Sequence, residues 1–250
     1  MLNGMPVSFP TLESRLAARE RSSRAHVMHQ RWESLLFLHW RWHAAEIQRT
    51  LPAGLYVDTF QGDAWLAIVP FYMRGIRPRF LPAVPGISDF LELNVRTYVH
   101  DEQGRPGVWF CSLDCNQPLA VWTARTFFHL PYQHARMSAA VSDGWIDYRC
   151  QRSGESNGSH FRYKIAAQAQ TAEAGSLEFF LAERYLLFSP SARGIRCGQV
   201  NHTPYPLAEA RLEGWDVNPL LQAGFMDPQR PPDHMIGSSG VDVAVYPLTS

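Results

Sequence analysis

No excess of either charge is available to this chain, because its 23 basic and 23 acidic residues cancel. That balance removes the long-range attraction shown by binders of nucleic acid or anionic membranes, so neither partner is expected. Cysteine is scarce: Cys111, Cys115, Cys150 and Cys197 lack the close paired spacing of a zinc site and read as reduced thiols, with no metal implied. No run of about 18 apolar residues exists to span a bilayer. Residues 1–25 lack the apolar core of a signal peptide, which makes a cytoplasmic location the expectation.

Familiar catalytic patterns are missing too. The glycine-rich run from Gly154 to Ser159 has no Gly-Lys-Ser/Thr ending and no following helix, so it is a turn and not a phosphate loop. Gly237-Ser238-Ser239-Gly240 lacks the Gly-x-Ser-x-Gly spacing of a hydrolase nucleophile. His39 and His43 stand four residues apart without the glutamate that a zinc protease needs beside them. Lysine is nearly absent: Lys164 is alone, and the other 22 basic residues are arginines.

What the chain does hold is apolar material, at 46% hydrophobic residues with 8 tryptophans, enough for one sizeable core. Nothing resembling a linker divides it. Residues 1–25 are expected to be a mobile or loosely docked segment, with a short helix between Thr11 and Arg24 that docks in an oligomer if one forms. Residues 26–250 are expected to be a single domain.

Strand patterns dominate that domain. Trp32–Trp42 reads as a strand, Ala44–Leu51 as a short helix, and Leu55–Phe60 with Ala64–Phe71 as a hairpin around Gln61-Gly62-Asp63. Pro78, Pro82 and Pro85 break residues 73–88 into a loop suited to a pocket mouth or to a plain crossing. Further candidates are Phe161–Ala169, Tyr185–Phe188, Ile195–Asn201 and Val241–Tyr246, with a helix over Leu177–Arg184 and a loop over Met226–Ser239.

The most informative stretch runs from Asp89 to Met137. Alternation from Phe90 to His100 sets Leu91, Leu93, Val95, Thr97 and Val99 against Glu92, Asn94, Arg96, Tyr98 and His100. On an antiparallel sheet such a polar row ordinarily faces water. A row mixing both charges with an aromatic also suits a lined cavity, where Arg96 needs a partner. A polar turn over residues 101–107 returns the chain as Val108–Leu113. A helix of about three turns follows, striped by Leu119, Val121, Trp122, Phe127 and Phe128, and then a hairpin turning at Ser142-Asp143-Gly144.

Within and around this stretch, ELNVRTYV from Glu92, GRPGVWFCSLD from Gly104, LPY at 130–132, LPAGLYVDTFQGDAWLAIVPFYM from Leu51 and ERY at 183–185 resemble the YqjF-like family of the acetoacetate decarboxylase-like superfamily. The resemblance implies an α+β fold: an antiparallel, cone-like β-barrel or curved sheet with a few short helices packed outside and a pocket inside. In the decarboxylase branch a lysine after a Phe-Pro type dipeptide forms a Schiff base with the keto acid, activated by a second lysine and an apolar setting. Here Leu130-Pro131 is followed by Tyr132 and Gln133, neither an amine. Schiff-base decarboxylation is therefore not expected, and no cofactor is implied.

The function expected is binding of a small organic ligand, a keto acid or other carboxylate, in the pocket. As an enzyme on a keto or enol substrate, the chain would use Arg96 to hold a carboxylate, Glu92 as acid or base and Tyr132 as proton donor or enolate stabiliser. Asn94, Tyr98, Trp109, His134, Glu183, Arg184 and Tyr185 complete the candidate ligand-binding set. A third reading is a structural or interaction protein whose barrel is filled by side chains. The partner classes left open are a small-molecule ligand and a second copy of the chain.

Overall fold

The computed structural model describes residues 7–192 and 194–249. Its strands are β1 (Met28–Trp42), β2 (Leu55–Val57), β3 (Ala64–Pro78), β4 (Phe90–Asp101), β5 (Pro106–Cys115), β6 (Tyr132–Ser142), β7 (Trp145–Arg152), β8 (Ser159–Gln170), β9 (Leu186–Ser191), β10 (Gly194–Asn201), β11 (Leu207–Gly214) and β12 (His234–Val245). Five short helices are interspersed: α1 (Leu12–Ala17), α2 (Ala44–Gln48), α3 (Pro118–Thr123), α4 (Leu177–Ala182) and α5 (Asn218–Gln222). This is a mixed α+β chain, mostly sheet.

The strands close into two rings that share a wall. One ring runs β5-β6-β7-β8-β11-β12-β1-β3-β4 and closes where β4 pairs with β5. The other leaves β5 through β9, crosses β10 and rejoins β12 at Val200 opposite Val245. The fork is built into β5: its start, Val108 and Trp109, pairs with β9, while its end, Leu113 to Cys115, pairs with β6. Both of these short pairings are parallel; the rest of the sheet is antiparallel.

A shared wall has no wet face, and this decides how its sequence must be read. In β1, Leu36, Leu38 and Trp40 enter the core of the first ring, while Leu35 and Phe37 enter that of the second. In β4, Leu91, Leu93 and Val95 join the first core, and all twelve residues of the strand are buried. The polar row of β4 is thus enclosed, not solvated. Charged side chains tolerate such a position only when paired or facing a cavity, and both arrangements occur here.

Close approach within the wall needs one particular glycine. Ser34 (φ 55) interrupts β1 where its register with β3 shifts, and Gly240 (φ 135) in β12 lies opposite Glu33. A Cβ on Gly240 would stand 2.1 Å from the Trp32 carbonyl oxygen, so no other residue fits without moving backbone. At the far end of the sheet, Asp143 (φ 53) and Gly144 (φ 78) form the expected tight turn of the β6-β7 hairpin.

Several expected elements are altered. β2 pairs with β4 and not with β3; Phe60 and Asp63 make only an isolated bridge. β3 continues to Pro78: Pro70 falls where the β1–β3 ladder is interrupted and no N–H is needed, and Pro78 is the last residue of the strand, so the loop begins at residue 79. β12 starts at His234, inside the stretch read as a loop, and β11 and α5 were not foreseen. The helix after β5 is shorter than expected: α3 passes into a π-helical turn over Ala124–Phe128, ended by His129 in the left-handed region. Its stripe is also displaced, with Val121 buried but Leu119, Trp122 and Phe127 about half exposed.

The leading segment folds back on the domain. Thr11 and Ser14 cap α1 reciprocally, and Arg15 from that helix makes two 2.7 Å hydrogen bonds to the Asp58 carboxylate. Among the described residues no helix is long and apolar enough to cross a membrane.

Candidate functional site

The second ring is not filled. It encloses a cavity of about 320 Å³, within the range that accommodates small organic ligands. Apolar side chains make up most of its wall, including Trp32, Met73, Phe90, Phe110, Leu113 and Phe128. Five buried polar residues interrupt that wall, Glu92, Arg96, Tyr132, Arg184 and Tyr205, and the half-buried Gln30, Arg77 and Thr123 also line it. At one end it reaches Leu119 and Ile87, which are 49% and 42% exposed, so the cavity opens at that end beside the loop over residues 79–89. Gln117 ties this mouth together by donating to the Gly86 carbonyl at 2.9 Å.

Glu92 and Tyr132 form one polar centre. Alternation along β4 turns Glu92 towards the second ring, and the parallel pairing of β6 with β5 places Tyr132 opposite Leu113. The Tyr132 hydroxyl donates to Glu92 Oε2 at 2.6 Å. Burial pushes the Glu92 carboxyl up to about 7, against the opposing influence of the Tyr132 hydroxyl and the Asn94 amide. Burial likewise raises the Tyr132 hydroxyl well above its ordinary range, reinforced by the neighbouring Glu92 carboxylate. This pair can hold, give or accept a proton near neutrality.

Arg96 forms the second centre. Its Nη2 donates to the Leu181 carbonyl at 3.1 Å, and its guanidinium lies 5.4 Å from the Phe37 ring centroid and 5.7 Å from that of Tyr98. Only 7% of the residue is exposed. Its Nε has no acceptor, and among the described residues no carboxylate forms an ion pair with it. Arg184 beside it differs: Nη1 donates to Asp58 at 2.8 Å and Nε to the Phe180 carbonyl at 2.6 Å. Burial lowers Arg184 to about 10, with Asp58 holding it up against that cost.

Glu92, Arg96, Tyr132 and Arg184 therefore meet on one cavity wall, whereas the remaining sequence candidates divide. Asn94 sits behind Glu92 with its Oδ1 unpartnered, and Tyr98 flanks Arg96 with its hydroxyl unpartnered; neither lines the cavity. Glu183 is committed to structure, accepting from the Tyr185 hydroxyl and, at 2.9 Å, from the Tyr205 amide. Tyr185 stacks on His202. Trp109 lies out of reach because alternation turns it from Val108 and Phe110 towards Leu55, Val99 and Phe188. His134 is exposed at the start of β6, bonded to Ser153 Oγ at 2.9 Å.

Sequence reasoning missed Tyr205, a cavity residue in an irregular stretch, and Asp58, whose importance lies wholly in two arginines distant in sequence. Lys164 is exposed, donating to the Asp143 carbonyl at 2.9 Å away from the cavity. The four thiols are free, and burial raises Cys111 and Cys115 to about 12 and Cys197 to about 11. Among the described residues no cluster of three or more potential metal ligands occurs.

A family model described as an uncharacterized conserved protein, DUF2071, matches residues 29–242. The chain belongs to the DUF2071 family. Uncharacterized protein YqjF of Bacillus subtilis (strain 168) is 38% identical over 208 residues, which cover 82% of this chain and 85% of YqjF. Among solved structures, the enduracididine biosynthesis enzyme MppR complexed with pyruvate superposes with a TM-score of 0.60 at 13% identity, covering 92% of each chain. An acetoacetate decarboxylase-like enzyme from Sphingomonas wittichii RW1 gives 0.57 at 14% identity, over 92% of this chain and 94% of that one. Acetoacetate decarboxylase from Legionella pneumophila gives 0.58 at 10%, over 93% and 91%. At these identities what is shared is the acetoacetate decarboxylase-like fold.

Proposed function

We propose that this chain binds a small organic carboxylate in the cavity of the second ring, with Arg96 as the anion-holding group. The observation that carries the proposal is Arg96 itself: a buried guanidinium on a cavity wall, held by one backbone carbonyl and two aromatic rings, with no carboxylate paired to it among the described residues. A buried charge without a counter-ion is unfavourable, and a ligand carboxylate relieves that penalty through charge-assisted hydrogen bonds. MppR, which shares the fold, has been solved with pyruvate bound, and that supports a keto acid as the first class to test. A cavity of about 320 Å³ argues against the filled-barrel alternative.

The test is titration calorimetry with pyruvate and acetoacetate against the wild type and Arg96→Gln. Loss of a charged hydrogen-bond donor costs about 1.5–3 kcal/mol, so affinity should fall about 10- to 150-fold in the variant. Equal affinity in the two proteins would exclude Arg96 as the anion site.

A second reading, proton transfer on a bound keto or enol compound, is favoured by the Glu92 carboxyl at about 7 and its 2.6 Å bond to Tyr132. It predicts exchange of α-hydrogens for solvent deuterium in a bound keto acid, lost in Glu92→Gln while binding persists. Binding without any exchange would reject it.

A further inference from the structure

The cavity is longer and more apolar than a short keto acid requires. Arg96 at its buried end and Phe90 towards its mouth are six residues apart on β4, which is about 20 Å of strand. A two- or three-carbon acid held at Arg96 leaves most of the wall uncovered, including Met73, Phe90 and Phe128. The apolar surface also does not end at the opening. It continues onto the exposed faces of Leu119 and Ile87 at the lip, with Trp122 and Phe127, 57% and 59% exposed, packed edge to face nearby on the α3 segment.

We infer that the natural ligand is an amphipathic carboxylate, with its head at Arg96 and an unbranched apolar chain running past Phe90 to the lip formed by Leu119 and Ile87. This rests on the proposed carboxylate reading of the same cavity and narrows it to a class. The positions fit the division of chemistry along the wall: the unpaired cation lies at the enclosed end, where a carboxylate is shielded from water. The apolar residues lie between it and solvent, where each methylene removed from water adds affinity. A ligand with the opposite orientation would leave Arg96 without a counter-ion and set its apolar end against that buried guanidinium, while its carboxylate would meet only the half-buried Arg77, whose charge is already partly solvated. The Glu92–Tyr132 pair lies partway along this path, at a position suited to a hydroxyl or keto oxygen on the chain.

The experiment is calorimetry of the whole protein with straight-chain carboxylates from acetate to hexadecanoate, each below its micelle concentration, with pyruvate and dodecanol as controls. Affinity should rise about two- to fourfold per added methylene and level off once the chain emerges at the lip. Leu119→Asp, at a half-exposed position that leaves the core untouched, should weaken hexadecanoate about tenfold and leave butanoate unchanged. Acetate or pyruvate binding as tightly as dodecanoate, still dependent on Arg96, would overturn this inference while sparing the parent proposal. A chain-length rise indifferent to Leu119→Asp would overturn the path to the lip. Dodecanol binding as tightly as dodecanoate, in wild type and Arg96→Gln alike, would overturn both, as would failure of every carboxylate to bind.

Discussion

Replacing Asp58 by alanine is expected to destabilise the protein by about 3–5 kcal/mol, the cost of removing one member of a buried ion pair. Asp58 is 3% exposed and stands between two guanidinium groups, accepting from Arg184 at 2.8 Å and from both Nη atoms of Arg15 at 2.7 Å. Without it Arg184 keeps only the Phe180 carbonyl, and its Nη2 already lacks an acceptor. Both arginines also lie over the Phe180 ring, at 5.0 and 4.2 Å, so two guanidinium groups would be left beside one ring with no carboxylate to neutralise them. In a chain of this size the loss corresponds to a fall of about 6–20 °C in Tm.

The same variant connects fold to site, because Arg184 lines the cavity and α1 is anchored by Arg15. Asp58→Asn should lie between wild type and alanine, since it keeps an acceptor but loses the charge. Arg15→Ala should cost less than Asp58→Ala, because the Arg184 pair survives it. The pH dependence has a definite sign: burial alone would raise the Asp58 carboxyl, but Arg184 and Arg15 together hold it below its ordinary value. Its contribution is present above the unfolded carboxyl pKa of about 3.8 and is lost as pH falls through the lower folded value. A Tm for Asp58→Ala within 2 °C of wild type would show that the triad contributes nothing.

How much of this was legible in the sequence depends on what each signal encodes. Alternation in β4 marked Glu92, Asn94, Arg96 and Tyr98 as one face, and that face is real. Whether it met water or an interior was not encoded, because a polar row against a cavity and a polar row against solvent have the same period. Only closure of β4 onto β5, together with the fork of β5 to β6 and β9, encloses it. β11 was lost for a different reason: after Leu207 its buried positions are only Ala208 and Ala210, alternating with Glu209 and Arg211, and alanine gives a weak apolar signal in a strand. The hairpin expected between β2 and β3 failed because the turn over Gln61-Gly62-Asp63 is locally sound while the pairing partner of β2 is β4, a non-local choice. Asp58 carries no pattern at all; a lone carboxylate acquires meaning only when the fold brings Arg15 and Arg184 to it.

Glu92 is expected to make the protein less stable as pH rises through neutrality, the reverse of the usual behaviour of a paired carboxylate. Burial dominates its environment, and the Tyr132 hydroxyl and Asn94 amide only partly offset it, with no cation among the influences on the group. A carboxyl whose folded pKa stands near 7 against an ordinary value of 4.5 contributes its full stability below pH 4.5. That contribution is lost progressively as pH rises through 7, and the total loss is about 3 kcal/mol. Glu92→Gln keeps a side-chain carbonyl to accept from Tyr132 but cannot ionise, so urea unfolding of the two proteins should diverge with pH. The variant should gain on the wild type by about 3 kcal/mol between pH 4.5 and 8. Tyr132→Phe removes the hydrogen bond that favours the ionised form, and should move the wild-type transition to higher pH and not to lower. A stability difference between wild type and Glu92→Gln that stays constant across this range would mean that Glu92 ionises as an ordinary carboxyl. The Glu92–Tyr132 pair would then hold no exchangeable carboxyl proton at neutral pH.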